Sequence, residues 1–195
     1  MSRELVKTLR ANGYLLIYNL VESTMTNAVD GIHRCFSEEE CEFSALSDDL
    51  KRIVLENFKR VIGNRSEKVL GASHPVQRAM TSLGYDKLAL FSGNLDARQI
   101  RDTATRYGFQ LAGRNLVESR DGVALKDIKD TRNDLAHGKQ SFEECGQQTS
   151  ADSLRQTGME AIAYLDDVLS GVENFVRQGL YLSEEWRTTG VRQGA

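Results

Sequence analysis

Arg132 and His137 stand five residues apart in the run Thr131-Arg132-Asn133-Asp134-Leu135-Ala136-His137-Gly138. Their side chains suit chemistry at a phosphate. Arginine is always charged, and its planar fork matches phosphate oxygens. It can stabilise the charge that builds in a phosphorane-like transition state. Histidine exchanges protons near neutral pH. The spacing itself is a common coincidence, however. A His that favours the dipole at a helix C-terminus, beside a solvated Arg, explains the same letters. Spacing alone leaves both readings open.

Five residues of ideal helix span about 7.5 Å of rise and roughly 140° of rotation, so Arg132 and His137 do not share a helical face. Asn133 and His137, four apart, do. Arg132 must therefore reach around with its long side chain, or act on a phosphate held between two subunits. A two-fold dimer would bring two Arg and two His to one cleft. Asn133 is a candidate to orient His137 or touch the phosphate, against an ordinary polar surface role. Asp134 reads as solvated or paired with a nearby Lys. Arg98 and Arg101 are candidates for phosphate contacts, with surface pairing to Asp96 or Asp102 as the alternative. His33 and His74 have no partners by spacing. Three isolated His and scattered carboxylates make no metal-ligand pattern, so neither metal nor cofactor is expected.

These side chains need elements to position them, and the chain reads as helical. Its single Pro favours long uninterrupted helices. A first helix is expected over residues 3–36, with Leu5, Leu9, Leu16, Ile17, Leu20, Val21, Met25, Ala28, Val29 and Ile32 as one apolar stripe and Gly13 as an interruption. A second spans residues 47–62, with Ser47 as N-cap, Asp48 and Asp49 in the first turn, and Gly63-Asn64 as its end. Residues 63–92 read mostly as loop, with a short helix possible over 76–82. A third helix runs over 95–107 and closes at Gly108. The motif helix runs over 123–137 and closes at Gly138. A fifth covers 151–178, with Thr149 and Asp152 resembling a capping box. Its apolar stripe includes Leu154, Ile162, Leu165, Val168, Leu169, Val172, Phe175 and Val176. Such helices joined by loops point to a helical bundle, read as one domain over residues 1–183 with a flexible tail over 184–195.

Bulk properties set limits. The 195 residues suffice for one domain, and 40% apolar with 27% charged residues fits a globular chain. No apolar run approaches the ~20 residues that cross a bilayer, and the first residues lack the apolar core of a signal peptide. A cytoplasmic location without membrane contact is expected, with Cys35, Cys41 and Cys145 as free thiols. The net charge of −3 excludes a globally basic nucleic-acid coat. Residues 95–139 hold nine Lys/Arg against seven Asp/Glu, whereas residues 150–185 hold two against seven. A local anion site is compatible with this; a long basic groove is not.

Three segments together carry a resemblance. The stretch KDTRNDLAHGKQSF resembles the signature of the HEPN superfamily (higher eukaryotes and prokaryotes nucleotide-binding domain), in which Arg, then Asn, Asp or His, then three further residues, precede His. Residues 14–32, YLLIYNLVESTMTNAVDGI, resemble the first helix of its bacterial MAE-type branch. Residues 92–109, SGNLDARQIRDTATRYGF, resemble that branch's middle helix. The resemblance implies an all-α, HEPN-like bundle of about five main helices that dimerises, with the two motifs meeting across a two-fold axis. It implies a metal-independent RNA endonuclease that leaves a cyclic phosphate, acting as a toxin or defence effector, with Arg132, His137 and Asn133 as its catalytic residues. RNA brings its own nucleophile, the 2′-OH, so proton transfer and charge stabilisation suffice. The resemblance also draws the Asn19 to Glu22 face of the first helix towards the motif, making Glu22 a candidate substrate contact. Some toxins of the family carry, two residues after the His, a Tyr that an antitoxin partner modifies. Here that position is Lys139, a candidate phosphate contact. RNA, a second copy, and an antitoxin or neighbouring defence protein are the implied partners. The alternative is a non-catalytic module that binds a nucleotide or serves assembly of a larger complex.

Overall fold

The computed structural model describes residues 2–70, 81, 85–91 and 93–190, of which 61–70 and 189–190 are described as backbone alone. Among the described residues there are seven α-helices and no β-strand. They are α1 (Arg3–Glu38), α2 (Asp48–Leu70), α3 (Ala97–Tyr107), α4 (Val123–Ala136), α5 (Phe142–Gln148), α6 (Ala151–Arg177) and α7 (Glu184–Gly190). The all-α class and the five main helices expected from sequence are present. The short α5 and α7 join them, and α7 occupies part of the segment read as a tail.

The chain divides into two compact units. The first takes the described residues of Met1–Asn27, Phe91–Arg101 and Leu111–Ser170, and it holds the motif. Its buried side chains include Tyr18, Val21 and Met25 of α1, Leu95 and Ile100 around the start of α3, Leu125 and Ile128 of α4, and Tyr164, Leu165 and Val168 of α6. At the far end of α4, Leu135 meets Ala11 and Cys145, with Tyr14, Leu15 and Phe142 packed against them. The α5 helix starts at a capping box: the Ser141 hydroxyl accepts the Glu144 N–H at 3.1 Å, and the Glu144 carboxylate accepts the Ser141 N–H at 2.9 Å. Buried Asp167 of α6 ties down the approach to α4 by accepting the backbone N–H groups of Arg114 and Asn115.

The second unit takes the described residues of Ala28–Leu90, Asp102–Gln110 and Gly171–Ala195. Its core holds Ile32 and Phe36 of α1, Leu50, Ile53 and Val54 of α2, Tyr107 and Phe109, and Phe175 of α6. Ser47 caps α2, as expected, by accepting the Leu50 N–H. The Phe109 N–H bonds back to the Ala104 carbonyl around Gly108 at the end of α3.

Several local expectations are corrected. The α2 helix does not stop at Gly63-Asn64 but continues to Leu70. A Gly inside a helix costs only about 1 kcal/mol, and no Pro intervenes to break the backbone ladder. The short helix read over 76–82 lies, Thr81 apart, outside the described residues. Gly13 does not interrupt α1; Leu154 of α6 lies where its side chain would be. The α1 stripe is only partly core, because Leu5, Leu9, Leu16 and Leu20 are exposed while Val21, Met25, Val29 and Ile32 are buried. Ile162 and Leu169 of α6 are likewise exposed. Helical period picks out faces, but cannot say which apolar face a neighbour covers. The cap of α6 is Ser150, which accepts the Ser153 N–H, while the Thr149 hydroxyl donates to the Cys145 carbonyl.

The corner before α4 is unusual. Arg120, Asp121 and Gly122 have φ of 48°, 52° and 76°, three left-handed residues in succession. L-residues pay about 1 kcal/mol or more each for this conformation. The Arg101 guanidinium holds the corner by donating to the Asp121 carbonyl oxygen at 3.3 Å, and Arg120 reaches buried Glu160 at 3.6 Å. A Cβ at Gly122 would lie 2.7 Å from both the Ala97 Cβ and the Tyr164 Cε2. Gly122→Ala should therefore cost about 2 kcal/mol of stability. A denaturant titration with an unshifted midpoint would contradict this account of the corner.

Candidate active site

The motif occupies the last turns of α4. Leu125, Ile128 and Leu135 bury one side of this helix, which leaves Arg132 and Asn133 half-buried and His137 exposed. His137 is the C-cap residue. The chain then closes in a Schellman motif: the Lys139 N–H bonds to the Asp134 carbonyl at 2.9 Å and the Gly138 N–H to Leu135 at 3.3 Å, with Gly138 at φ 66°. The His137 ring is thus presented at the C-terminal end of the motif helix.

Arg132 lies among residues from three elements. Its Cζ sits 4.9 Å from the centroid of the Tyr18 ring on α1, within the range of a cation–π contact. Its Nη1 donates to the Asn133 side-chain oxygen at 2.9 Å. The turn ahead of α3 runs past the guanidinium closely enough that a Cβ at Gly93 would lie 3.3 Å from Nη1. Asn133 in turn donates to the side-chain oxygen of Asn94 at 3.2 Å. The turn is fixed to α1 at two points: the Gly93 N–H donates to Glu22 Oε1 at 3.2 Å, and the Leu95 N–H to the Tyr18 hydroxyl at 3.1 Å.

One turn earlier on α4, Lys129 bonds at 2.6 Å to Asp96, the N-cap of α3, whose carboxylate also accepts the Gln99 N–H. Burial pushes the Asp96 carboxyl up, but the bonds from Lys129 and Gln99 outweigh it and hold it below the usual carboxylate range. Burial likewise raises the Tyr18 hydroxyl, keeping it neutral. Lys129 is thereby neutralised by Asp96, whereas Arg132 has no carboxylate within ion-pair distance among the described residues. A half-buried guanidinium with no ion-pair partner among the described residues is chemically able to receive an anion.

The sequence-derived candidates fall into groups. Arg132, Asn133 and Glu22 come together around the 93–96 turn. Glu22 meets that turn through the Gly93 N–H. His137 stands apart from Arg132 by helix geometry, and no hydrogen bond joins their side chains. Lys139 is exposed and lies 3.6 Å from Asp134. Arg98 is exposed on α3, and Arg101 is engaged with Asp121 and the Tyr164 hydroxyl at the 120–122 corner. Sequence reasoning missed Tyr18, Gly93, Asn94 and the Lys129–Asp96 pair. Tyr18 was hidden among the apolar residues of α1; its signal was a hydroxyl-bearing ring amid aliphatic side chains. His33, in the other unit, is a core residue bonded to the Tyr107 hydroxyl at 2.9 Å. Among the described residues, no three His, Cys, Asp or Glu gather as a group able to hold a metal ion. No described helix is long and apolar enough to cross a membrane.

The family model for MAE_28990-like HEPN domains matches residues 1–181, nearly the whole chain and all three resembling segments. Comparisons with curated proteins and with solved structures gave no match. With the motif at the end of α4 and a match over this length, the chain belongs to the HEPN family, in its MAE_28990-like branch.

Proposed function

We propose that the chain is a metal-independent RNA endonuclease that acts as a toxin or defence effector. Arg132 binds the scissile phosphate and stabilises charge in the transition state. His137 serves proton transfer: the 2′-OH loses its proton as its oxygen bonds to phosphorus, the P–O5′ bond breaks, and the 5′-oxygen leaves as a protonated hydroxyl, so that a 2′,3′-cyclic phosphate remains. Asn133 orients the Arg132 fork through its side-chain oxygen. The observation that carries this reading is the uncompensated Arg132 guanidinium, held in place on the same helix that ends at an exposed His. Family membership supports it.

The two residues are five apart on a regular helix, so one chain does not place both beside the same phosphate without a long reach. The reading therefore includes a homodimer whose two motifs face one cleft, supplying Arg from one chain and His from the other. Incubation of the purified protein with total RNA in EDTA tests both parts. Cleavage should persist in EDTA, and the rate per chain should fall on dilution as dimers dissociate. RNA left intact with and without EDTA, at protein concentrations where the dimer forms, overturns the proposal.

A further inference from the structure

Arginine is a poor fit for a fixed site unless something holds it. Its long side chain carries rotamer entropy that must be lost before or during binding. The usual restraint, a carboxylate, would occupy the fork that a phosphate needs. The first unit holds Arg132 by other means. The ring of Tyr18 lies under the guanidinium with its centroid 4.9 Å from Cζ. Tyr18 is fully buried, and its hydroxyl accepts the Leu95 N–H, so the ring cannot turn away without breaking a buried bond. The Gly93 backbone closes in on Nη1 from the turn, and that turn is held by Glu22. Glu22 is thus occupied with a backbone N–H. A π-face attracts the cation without neutralising it.

We propose that Tyr18 is a positioning residue of the active site: its ring, with the Glu22-held Gly93 turn, pre-sets the Arg132 fork while leaving it uncompensated for a phosphate. The proposal rests on the reading of Arg132 as the phosphate-binding group. It makes Tyr18 act on cleavage through Arg132 alone.

The test is a cycle on a defined oligoribonucleotide that the wild-type protein cleaves, with an NMR readout beside it. Tyr18→Leu should lower kcat about tenfold and leave KM nearly unchanged. Tyr18→Phe, which keeps the ring, should stay within about threefold of wild type. In an Arg132→Ala background, Tyr18→Leu should cost nothing more. The Arg132 Nε–Hε resonance, assigned by its loss in Arg132→Lys, should be ring-current shifted in the wild type and in Tyr18→Phe, and should move to the free-arginine position in Tyr18→Leu. Equal losses from Tyr18→Leu in both backgrounds, or no loss in either, overturn the proposal. So does an unshifted resonance in the wild type, a readout that needs no Tyr18 variant to fold. Cleavage undiminished in Arg132→Ala instead overturns the underlying reading of Arg132, and the proposal with it.

Discussion

Arg132→Ala is expected to lower the single-turnover rate of RNA cleavage by about a hundred- to a thousandfold, the usual cost of removing one preorganised donor from a charge-stabilising site. Arg132→Lys should recover only part of that loss. Lysine restores the charge but supplies a point donor in place of a planar fork, and it cannot lie on the Tyr18 ring as a guanidinium does. His137→Ala should cost about a hundred- to ten-thousandfold, in line with the loss of a general acid–base group. These losses would come from chemistry rather than unfolding. The His137 ring is exposed, and its side chain makes no hydrogen bond among the described residues. The Arg132 side chain is half-buried, and among the described residues its hydrogen bond is to its neighbour Asn133. Each variant should therefore melt close to the wild type while its cleavage collapses. Variants that cleave as fast as the wild type would remove the chemical basis of the account.

A second large effect concerns stability in acid. His33 is 3% exposed, stacked on the Tyr85 ring at 3.7 Å, with its Nδ1 buried and without a hydrogen-bond partner. Burial pushes its pKa down to about 4, and the nearby Asp30 carboxylate only partly opposes this. Asp30 is itself engaged by the Tyr85 hydroxyl and by Lys87. In the unfolded chain the same ring titrates near 6.5, so between about pH 6.5 and 4 the unfolded state binds a proton that the folded state does not. The contribution of His33 is fully present above pH 6.5 and is lost as pH falls towards 4, by about 3 kcal/mol in all. Unfolding titrations from pH 7 to 4.5 should show this slope in the wild type, and His33→Gln should flatten it. The native carboxylates held below their usual range, Asp30 and Asp96, lose their stabilising effect lower on the pH scale and are common to both proteins. Parallel pH curves for the two would contradict the reading of His33 as a buried neutral ring.

The parts of this molecule that were legible in the sequence are those with local causes. Long amphipathic periods marked the main helices. Gly108 and Gly138 marked two of their ends, because the Schellman turn needs a left-handed residue just past the helix. Ser47 was legible as a cap for the same local reason. The Arg132 and His137 positions were legible as a motif, and the helix repeat already separated them in angle. What could not be read depends on neighbours distant in sequence. Leu9 and Leu16 look like core residues in the sequence, yet both are exposed, and which apolar face a neighbour covers is not written in the helical period. The Ser141/Glu144 capping box was present in the letters, but seven residues of helix give too short a period to stand out. The surroundings of Arg132 come largely from residues 18 and 93, far from the motif in the chain, and Glu22 was drawn towards it by resemblance rather than by spacing. No spacing rule connects a Tyr on α1 with an Arg more than a hundred positions later.

The most direct measurement is a comparison, in EDTA, of an oligoribonucleotide that the protein cleaves with the same oligonucleotide carrying a single 2′-deoxy sugar at the cleaved position, with analysis of the product ends. If Arg132 and His137 act by assisting the 2′-OH, the all-ribose strand is cut to leave a 2′,3′-cyclic phosphate, and the deoxy strand stays intact at that position. Equal cutting of both strands, or products with a 3′-hydroxyl and a 5′-phosphate, would show that water or another nucleophile attacks, and would contradict the mechanism at its centre.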